Sequence, residues 1–439
     1  MLEKKLSKLI PISGLVIAFY SVQRYSSFPI GNTFIWWSIH ILILVLFFLV
    51  VRYSTYSREE LTALRFVKWY LLWNVFSIVR GVFVADIYWD YKGLLNMGMA
   101  LLMPVVAYLA FDKNRVQDIL AFFIRYALPL SVLVFPFLPV GAWGWYLFPV
   151  GMLMLFFPAL SIRAKIMVLL ITLIAGFGDL GTRSHVLKYS MPVVLILFFY
   201  TIRNFSLSVK VMKTAQRIMI IIPLLFFVLA FTGTFEIFKM NEYISGEYVE
   251  KRKNTEGEEV QEDLKADTRT FLYVEVLQSA EKYNYWLIGR SPARGNETFH
   301  FADFEEEITG RPERLRNEVG ILNTFTWTGI IGVFLFFLVF YQASFLAVCR
   351  SNNIYIKLVG LFVAFRWVNA WIEDSQAFDM NSFVIWLMVG ICLSPSFRAM
   401  KDAEIKLWLW GIFERKYYQK YKYYTQREFR SSSRKLELN

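Results

Sequence analysis

Residues that bind transition metals are scarce in this sequence, which has two cysteines and three histidines in 439 residues. Cys349 lies at the expected cytoplasmic end of a membrane span and Cys392 lies inside the last span. A disulfide between them is therefore not expected, and a metal site built from two cysteines with no histidine nearby is excluded. No Gly-rich phosphate loop of the Walker type occurs. We predict no metal and no cofactor.

Charged residues are also few. Asp, Glu, Lys and Arg make up 19% of the chain, whereas 56% is hydrophobic and Phe alone occurs 42 times. The apolar residues form long runs, such as 34–51 and 329–348, and runs of about 18 or more predict membrane spans. The sequence therefore predicts an all-α, polytopic membrane bundle of about 12 transmembrane helices. Their expected bounds are 7–23, 34–51, 69–85, 93–111, 118–138, 143–161, 166–181, 184–202, 216–237, 319–348, 356–372 and 381–397.

The placement of positive charge predicts the orientation. The net charge is +12, and basic residues recur in the segments on the N-terminal side of the membrane. The short loops on the other side hold only Arg24, Lys92, Arg183 and Lys188. The N-terminal side is therefore predicted to be cytoplasmic, with both termini there. Charge placed at span ends also argues against nucleic acid as a partner. No small-x-small cleavage site follows the basic start, so the first span is expected to be retained.

Four segments follow from these spans. They are a membrane bundle of spans 1–9 over 1–237, a large periplasmic loop over 238–318, spans 10–12 over 319–397, and a basic cytoplasmic tail over 398–439. From about residue 404 the tail predicts an interfacial helix on the cytoplasmic leaflet, with Trp408 and Trp410 at headgroup level. The alternative is a solvated basic tail. Glycines in spans 10 and 12 are interpreted as helix-packing positions.

Arginine inside a membrane costs roughly 2.5–3.5 kcal/mol on insertion scales, so it usually has a partner or a function. Arg80, Arg183 and Arg366 all lie at the expected outer-leaflet level, where together they could bind a phosphate-bearing anion. Arg125 lies nearer the cytoplasm and is expected to extend to that face. The alternative for the outer arginines is local pairing, with candidate pairs Arg80–Asp86, Arg183–Asp179, and Arg366 with Glu373 or Asp374.

The loop 238–318 divides into two parts. Residues 246–262 are dense in Glu and Lys, and predict a solvated helix or a mobile segment. Asp267-Thr268 predicts an N-cap, followed by an amphipathic helix over 269–283 on the outer membrane surface, with Arg269 in its first turn.

The second part continues with a Gly/Pro loop and returns to the membrane. Arg290 and Arg294 lie in the loop, where backbone amides can also face an anion. A short helix is expected over 301–308. A basic run then precedes Glu318 at the start of span 10, and its members are Arg311, Arg314 and Arg316.

Short motifs in this layout resemble those of the bacterial O-antigen polymerase/ligase superfamily, which contains Wzy-type polymerases and lipid A-core ligases. Thr182-Arg183-Ser184 stands where the family has Ser/Thr-Arg-Gly/Ser. The large loop carries Arg269 in a helix and then Trp-Leu-Ile-Gly-Arg over 286–290. The segment 317–332, Asn-Glu-Val-Gly-Ile-Leu-Asn-Thr-Phe-Thr-Trp-Thr-Gly-Ile-Ile-Gly, is similar to the family's His-Asn-x-x-Leu…Gly-Ile/Leu-Gly segment. One departure is that Glu318 stands where the ligases and many polymerases have histidine.

The resemblance implies a metal-independent glycosyltransferase of the bacterial inner membrane. Such an enzyme moves a glycan from undecaprenyl diphosphate onto another lipid-linked repeat unit at the periplasmic face. The implied partners are the lipid-linked oligosaccharide and membrane lipid, and a chain-length regulator protein is allowed.

The chemistry needs cations for the departing diphosphate and a base for the attacking hydroxyl. The predicted catalytic residues are Glu318, as the base, with Arg183 and Arg269; Asp374 is the reserve base. The predicted diphosphate-binding residues are Arg80, Arg183, Arg269, Arg290 and Arg366.

Three other functions stay open. An O-antigen ligase uses the same donor with a lipid A-core acceptor, and the missing histidine argues against it. A lipid-linked oligosaccharide flippase predicts repeated spans and a cationic cavity open to both sides, and no such repeat is visible. A scaffolding membrane protein has no need of three arginines at the outer level. For Glu318, the alternative to a base is an ion pair with Arg314 or Arg316.

Overall fold

The structure is a computed structural model that describes residues 2–179, 183–201, 205–232, 249–253, 259–263, 269–414 and 417. Within these residues it is an all-α bundle, as predicted, with four short strands. A helix lies at each of the twelve predicted span positions, and eight helical segments are long and apolar enough to cross a membrane. Those eight are Glu3–Gln23, Thr33–Tyr53, Arg65–Val84, Tyr88–Leu109, Lys113–Phe137, Val140–Ala159, Ser208–Ala230 and Gly320–Arg350. The total of twelve spans stays a prediction.

Helices account for most of the described chain. The α-helices are α1 Leu2–Ser7, α2 Ile10–Gln23, α3 Thr33–Tyr53, α4 Arg58–Ala63, α5 Arg65–Val84, α6 Tyr88–Leu101, α7 Val106–Leu109, α8 Lys113–Phe122, α9 Leu128–Val134, α10 Val140–Leu153, α11 Ile162–Phe177, α12 Arg183–Thr201, α13 Phe205–Phe231, α14 Thr270–Tyr283, α15 Ala302–Thr309, α16 Gly320–Arg350, α17 Ile354–Asn369, α18 Met380–Leu393, α19 Pro395–Ala399 and α20 Asp402–Phe413. Short 3₁₀ segments cover Met103–Val105, Phe135–Phe137 and Met154–Ala159, and a π-helical turn covers Phe123–Ala127. The strands are β1 Val249–Lys253, β2 Glu259–Asp263, β3 Asn296–Glu297 and β4 Glu313–Arg314.

The centre of the bundle is α18, in which every residue is buried. A helix that is apolar on all sides is stable only when protein or lipid surrounds it. At Gly390 of α18, an added Cβ would lie 2.2 Å from the Ala107 carbonyl oxygen, so this span-12 glycine does serve close helix packing, as interpreted. Helices α3 and α5 pack one face against this core and expose large apolar side chains on the other, for example Leu42 and Phe83. These are the faces that suit lipid.

The long helix α16 is broken at Gly329, whose φ of 68° and ψ of −172° are not helical. The loop 285–291 lies against the break and satisfies its free backbone groups. The Arg290 amide donates to the Thr326 carbonyl at 2.6 Å, and the Ile330 amide donates to the Trp286 carbonyl at 2.8 Å. The interpretation of Gly329 as a helix-packing position is therefore wrong, because it occupies a conformation that only glycine adopts readily.

The predicted loop helices are confirmed, and the described part of the acidic segment is strand. Helix α14 covers Thr270–Tyr283, with Arg269 at its N-cap; the expected cap, 267–268, lies outside the described residues. Helix α15 covers Ala302–Thr309, one residue from its expected position. Within 246–262, the helix prediction is wrong for residues 249–253 and 259–262, because β1 and β2 pair there as antiparallel strands. Strands β3 and β4 pair Asn296 with Arg314 and so close the loop around α15.

The tail helix α20 packs against protein, which corrects its predicted place on the lipid surface. Trp408 is fully buried, and its indole donates to the Lys113 carbonyl at 3.0 Å. The Gln117 amide in turn donates to the Trp408 carbonyl. Arg125, which was expected to extend to the cytoplasmic face, donates to the Gly411 and Ile412 carbonyls at the end of α20. A cation at a helix C-terminus is favourable because it satisfies carbonyls that have no partner within the helix.

Candidate functional site

The turn at residues 370–374, between α17 and α18, is the point where the candidate site is built. Backbone hydrogen bonds fix the turn to the start of α16. The Ile321 amide donates to the Ala370 carbonyl at 2.8 Å, and the Gly320 amide donates to the Glu373 carbonyl at 3.2 Å. Since the first amides of a helix have no partner within it, the turn carbonyls satisfy donors that would otherwise be free. The side chains of the turn are thus held in place.

The loop helix α14 is joined to the same turn. The Arg269 Nε donates to the Ile372 carbonyl at 2.8 Å, and the Tyr273 hydroxyl donates to the Trp371 carbonyl at 2.6 Å. Arg269, predicted from its position in the loop, therefore lies against the membrane end of α17. Its contact also explains why an arginine is tolerated at a helix N-terminus, where a cation is unfavourable.

Two ion pairs flank the turn on either side. Arg316, in the basic run before α16, pairs with Asp374 at 2.5 Å. Lys188 of α12 pairs with Glu373, whose other carboxylate oxygen accepts from Asn369 at 3.0 Å. Lys188 is 2% exposed and its ammonium lies 4.3 Å from the Trp145 ring centroid. In the sequence, Lys188 contributes only to the predicted orientation. A lysine within a predicted span is costly, and that cost is the feature that could have identified it as a candidate site residue.

Arg366 of α17 is the most unusual side chain of the site. It is 1% exposed, and none of its three guanidinium nitrogens has a hydrogen-bond partner among the described residues. The predicted pairing with Glu373 or Asp374 is wrong at the level of contacts, because those carboxylates pair with Lys188 and Arg316. A buried guanidinium without partners is energetically costly, which marks it as a candidate for binding an absent anion.

An apolar groove reaches the 370–374 turn. We call the cations at and just before this turn the cationic cluster; they are Lys188, Arg269, Arg316 and Arg366. The groove has a volume of about 440 Å³ and runs between α13, α14 and the end of α17. Its lining includes Pro223 and Phe227 from α13, Tyr273 and Leu277 from α14, and Ile372 from the turn. Because Arg269 donates to the Ile372 carbonyl, the groove and the cationic cluster share a wall. An apolar channel with charged groups at one end suits an amphiphile with an anionic head.

Arg80 belongs to a different place from the one predicted for it. One terminal nitrogen, Nη2, donates to the Ile288 and Gly289 carbonyls at 2.8 Å each. The proposed alternative partner, Asp86, instead pairs with Arg311 at 3.0 Å. Arg80 therefore fixes the 285–291 loop beside the break in α16, and the predicted convergence of Arg80 with Arg366 is not seen in their contacts.

Arg290 is likewise engaged within the loop. Its guanidinium donates to the Gly295 carbonyl at 2.7 Å, pairs with Glu313 at 3.2 Å and lies 4.1 Å from the Tyr283 ring centroid. Arg294 pairs with the same carboxylate. Burial raises the pKa of Glu313, but the two guanidiniums outweigh burial and hold it below its usual value.

The two predicted bases differ in environment. The side chain of Glu318 is 59% exposed and pairs with Arg314 at 3.6 Å, which is the ion pair that we had considered as its alternative role. The side chain of Asp374 is 8% exposed. Burial raises the pKa of Asp374 above its usual value, although Arg316 opposes the shift. Of the predicted set, Arg269 donates to the 370–374 turn, Asp374 is part of it, and Arg366 lies one helical turn before it on α17. The side chain of Arg183 is not among those that the structure describes, so its predicted pairing with Asp179 stays a prediction.

Comparison with known proteins gives no relatives: no protein-family model matches the chain, and no curated protein matches it. The function proposed below is therefore inferred from the site itself and from the motif resemblance.

Proposed function

We propose that this chain is an O-antigen or surface polysaccharide polymerase. It transfers a glycan from undecaprenyl diphosphate onto another lipid-linked repeat unit, without a metal. In this proposal the chain spans the bacterial inner membrane about 12 times with both termini in the cytoplasm. The loop 238–318 lies in the periplasm, where ATP and nucleotide sugars are absent. The donor's own diphosphate is then the leaving group.

The observation that supports this proposal most directly is an apolar groove whose lining reaches the 370–374 turn. The groove of about 440 Å³ suits part of a polyprenyl chain. At the turn, Arg269 donates to the Ile372 carbonyl of the groove lining. Arg366 lies one helical turn before Ala370, and its three guanidinium nitrogens have no hydrogen-bond partner among the described residues. Arginine suits a diphosphate because its planar donors bind two phosphate oxygens at once and it stays protonated.

The reaction follows from these groups. The acceptor hydroxyl oxygen attacks the anomeric carbon of the donor, and a new C–O bond forms. The bond between that carbon and the diphosphate oxygen breaks, and the diphosphate leaves with the electron pair. Arginines stabilise the charge that develops on it. The hydroxyl proton passes to a carboxylate.

Asp374 is the better of the two predicted bases. A base of raised pKa in a buried site takes up a proton more readily than an exposed carboxylate in water. Glu318 is exposed and paired with Arg314, so it is set aside as a structural ion pair.

Complementation of a deletion strain tests the proposal. We expect the deletion strain to place single repeat units on its surface, and Arg269→Ala to leave that phenotype uncorrected although the protein reaches the membrane. Arg125→Ala is the matched control, because Arg125 contacts only the α20 carbonyls among the described residues and should restore long chains. Long chains in the Arg269→Ala strain would overturn the proposal.

The same strain separates the alternatives. Lipid-linked units that accumulate only inside the cell would indicate a flippase. Long chains that stay on undecaprenyl diphosphate and never reach the lipid A core would indicate a ligase.

A further inference from the structure

A second cavity, separate from the apolar groove, has Arg316 in its lining. We call it the Tyr20 cavity. It is lined by residues that include Tyr20, His40, Asn96, Arg316, Gln376 and Asp379. These come from α2, α3, α6 and the segments that flank α16 and α18. Its volume is about 150 Å³, which is comparable to that of one sugar ring and leaves room for about five waters at about 30 Å³ each.

Two buried polar atoms of this cavity have no partner among the described residues: His40 Nε2 and Gln376 Oε1. His40 is 1% exposed. The Gln376 side-chain amide is held in its orientation by its nitrogen, Nε2, which donates to the Thr324 hydroxyl. Most buried polar atoms in proteins are hydrogen-bonded, so two unpaired atoms on side chains that line one cavity favour a polar ligand there. Gln376 Oε1 only accepts, and His40 Nε2 donates or accepts according to its tautomer, so a hydroxyl can serve both.

The charges around the Tyr20 cavity balance. Arg316 is paired with Asp374, and the two other charged residues of the lining, Arg24 and Asp379, have opposite signs. Asp379 is 7% exposed and accepts from the Ser382 amide at 2.8 Å. An anionic or cationic ligand would disturb this balance in a partly buried site. The cavity therefore suits an uncharged ligand, in contrast to the cationic cluster at the 370–374 turn.

Aromatic rings form part of the wall. The Tyr20 and His40 rings meet edge to face with centroids 4.1 Å apart, and His40 stacks on Phe378 at 4.3 Å. Asn96 is held in place because its Oδ1 accepts from the Trp37 indole at 2.7 Å. Rigid rings beside fixed amides provide both an apolar surface and directed hydrogen bonds, and these are the two surfaces that a pyranose ring presents.

We propose that the Tyr20 cavity binds one neutral sugar ring of the acceptor glycan. The assignment as acceptor depends on the proposed polymerase function. Arg316 lines the cavity and also pairs with Asp374, while the Gln376 backbone N–H donates to Asp374 Oδ1 at 2.8 Å. The sugar cavity and the candidate base thus share one segment of chain. Donor diphosphate and acceptor sugar would then approach Asp374 from opposite sides of the Arg316–Asp374 pair.

Sugar binding is measured directly on the full chain in nanodiscs by saturation-transfer NMR, with a panel of neutral methyl hexosides and with glucuronate as the charged control. We expect saturation of at least one neutral hexoside and none of glucuronate. His40→Phe keeps the ring and removes the nitrogens, and Gln376→Met removes the amide. Each should weaken binding roughly tenfold, as the loss of one hydrogen bond predicts. Both retain side-chain volume. His40→Phe should keep the unfolding temperature near that of the wild type, and Gln376→Met, which also loses the hydrogen bond to Thr324, should lower it slightly.

Ala100→Leu, which fills the cavity, should abolish the signal; Ala343→Leu, at a buried alanine outside the cavity lining, is the control for overpacking. No saturation of any neutral hexoside would mean that water alone fills the cavity, and the inference would be overturned. Signals that survive His40→Phe and Gln376→Met would place the sugar elsewhere and overturn it too. If sugar binds as expected but the deletion strain still makes long chains, the polymerase proposal fails while the cavity assignment stands.

Discussion

Lys188 and Glu373 form an ion pair in the interior of the bundle and so join α12 to the 370–374 turn. The ammonium is further covered by the Trp145 ring, and the second carboxylate oxygen is satisfied by Asn369. Because both charges are removed from water, each depends on the other for compensation. The turn that carries Asp374 is therefore held by a contact from a helix far away in the sequence.

The pair predicts a strongly non-additive mutant cycle. Lys188→Met alone leaves a buried carboxylate without its cation, and Glu373→Gln alone leaves a buried ammonium without its anion. Each should lower the free energy of unfolding by about 3–5 kcal/mol. The double variant should recover much of that loss, because neither charge remains. Thermal inactivation of the detergent-solubilised protein measures each variant. Additive losses, or single losses well under 1 kcal/mol, would contradict the pair as a main support of the turn.

Arg366 gives the opposite expectation for stability. Its guanidinium makes no hydrogen bond to the described residues, so Arg366→Met removes a desolvated charge without breaking a side-chain hydrogen bond. We expect an equal or higher unfolding temperature together with a loss of chain elongation of about 100-fold or more, since a transition-state cation is lost. A glycan ladder and a melting curve on the same preparation test both. Lower stability with normal ladders would show that Arg366 is structural.

The class of the fold could be predicted from apolar run length alone. Each predicted span position holds a helix because a backbone in lipid must satisfy its own hydrogen bonds. The break in α16 could not be predicted in the same way. Gly329 lies in an apolar run, and its conformation depends on the distant loop 285–291, which supplies partners for the broken turn.

The site was predicted in part, for a similar reason. Arginines inside a membrane are conspicuous because each is costly, and this located Arg366. Arg269 was predicted from its position in the loop helix and from the motif resemblance. Their partners are decided by tertiary contacts. Sequence proximity suggested Asp86 for Arg80, whereas the structure gives Arg80 the carbonyls of Ile288 and Gly289, about 200 residues away. Lys188 and the Tyr20 cavity were missed because their members come from separate helices.

Gly329 predicts a sharp contrast between two glycine substitutions. An added Cβ at Gly329 would lie 2.2 Å from the Leu287 carbonyl oxygen, and its backbone region is one that residues other than glycine avoid. Gly329→Ala should therefore abolish correct folding or reduce yield severely. Gly14→Ala is the control: no atom lies within 4 Å of its added Cβ, and a helical alanine should gain about 0.5–1 kcal/mol. Size-exclusion profiles and melting curves compare the two. A well-folded Gly329→Ala protein would contradict the observed break.

Glu313 predicts acid sensitivity of the loop. Its folded pKa lies below the usual value, so it contributes stability above about pH 4.5 that is lost as the pH falls through the depressed pKa. Glu313→Gln should lower loop stability at neutral pH and flatten this acid dependence. Limited proteolysis of 285–318 across the acid range measures it. Glu307→Gln, on the exposed side of α15, is the control and should change neither. Identical acid profiles for wild type and Glu313→Gln would refute the assignment.

Asp374 and Glu318 allow the base to be identified by exchange of one atom. Asp374→Asn keeps the shape of the turn but cannot accept the proton, so elongation of lipid-linked repeats in vitro should slow by about 10²–10⁴-fold. Glu318→Gln breaks only an exposed pair and should leave the rate within about threefold.

Because burial raises the pKa of Asp374, the acid limb of the wild-type rate profile should have its midpoint above the usual aspartate value of 3.8, and activity should be lost as the pH falls through it. That limb should vanish from the residual activity of Asp374→Asn and persist in Glu318→Gln. An inactive Glu318→Gln beside an active Asp374→Asn would move the base to Glu318, and would mean that the exposed carboxylate loses Arg314 and becomes covered when substrate binds.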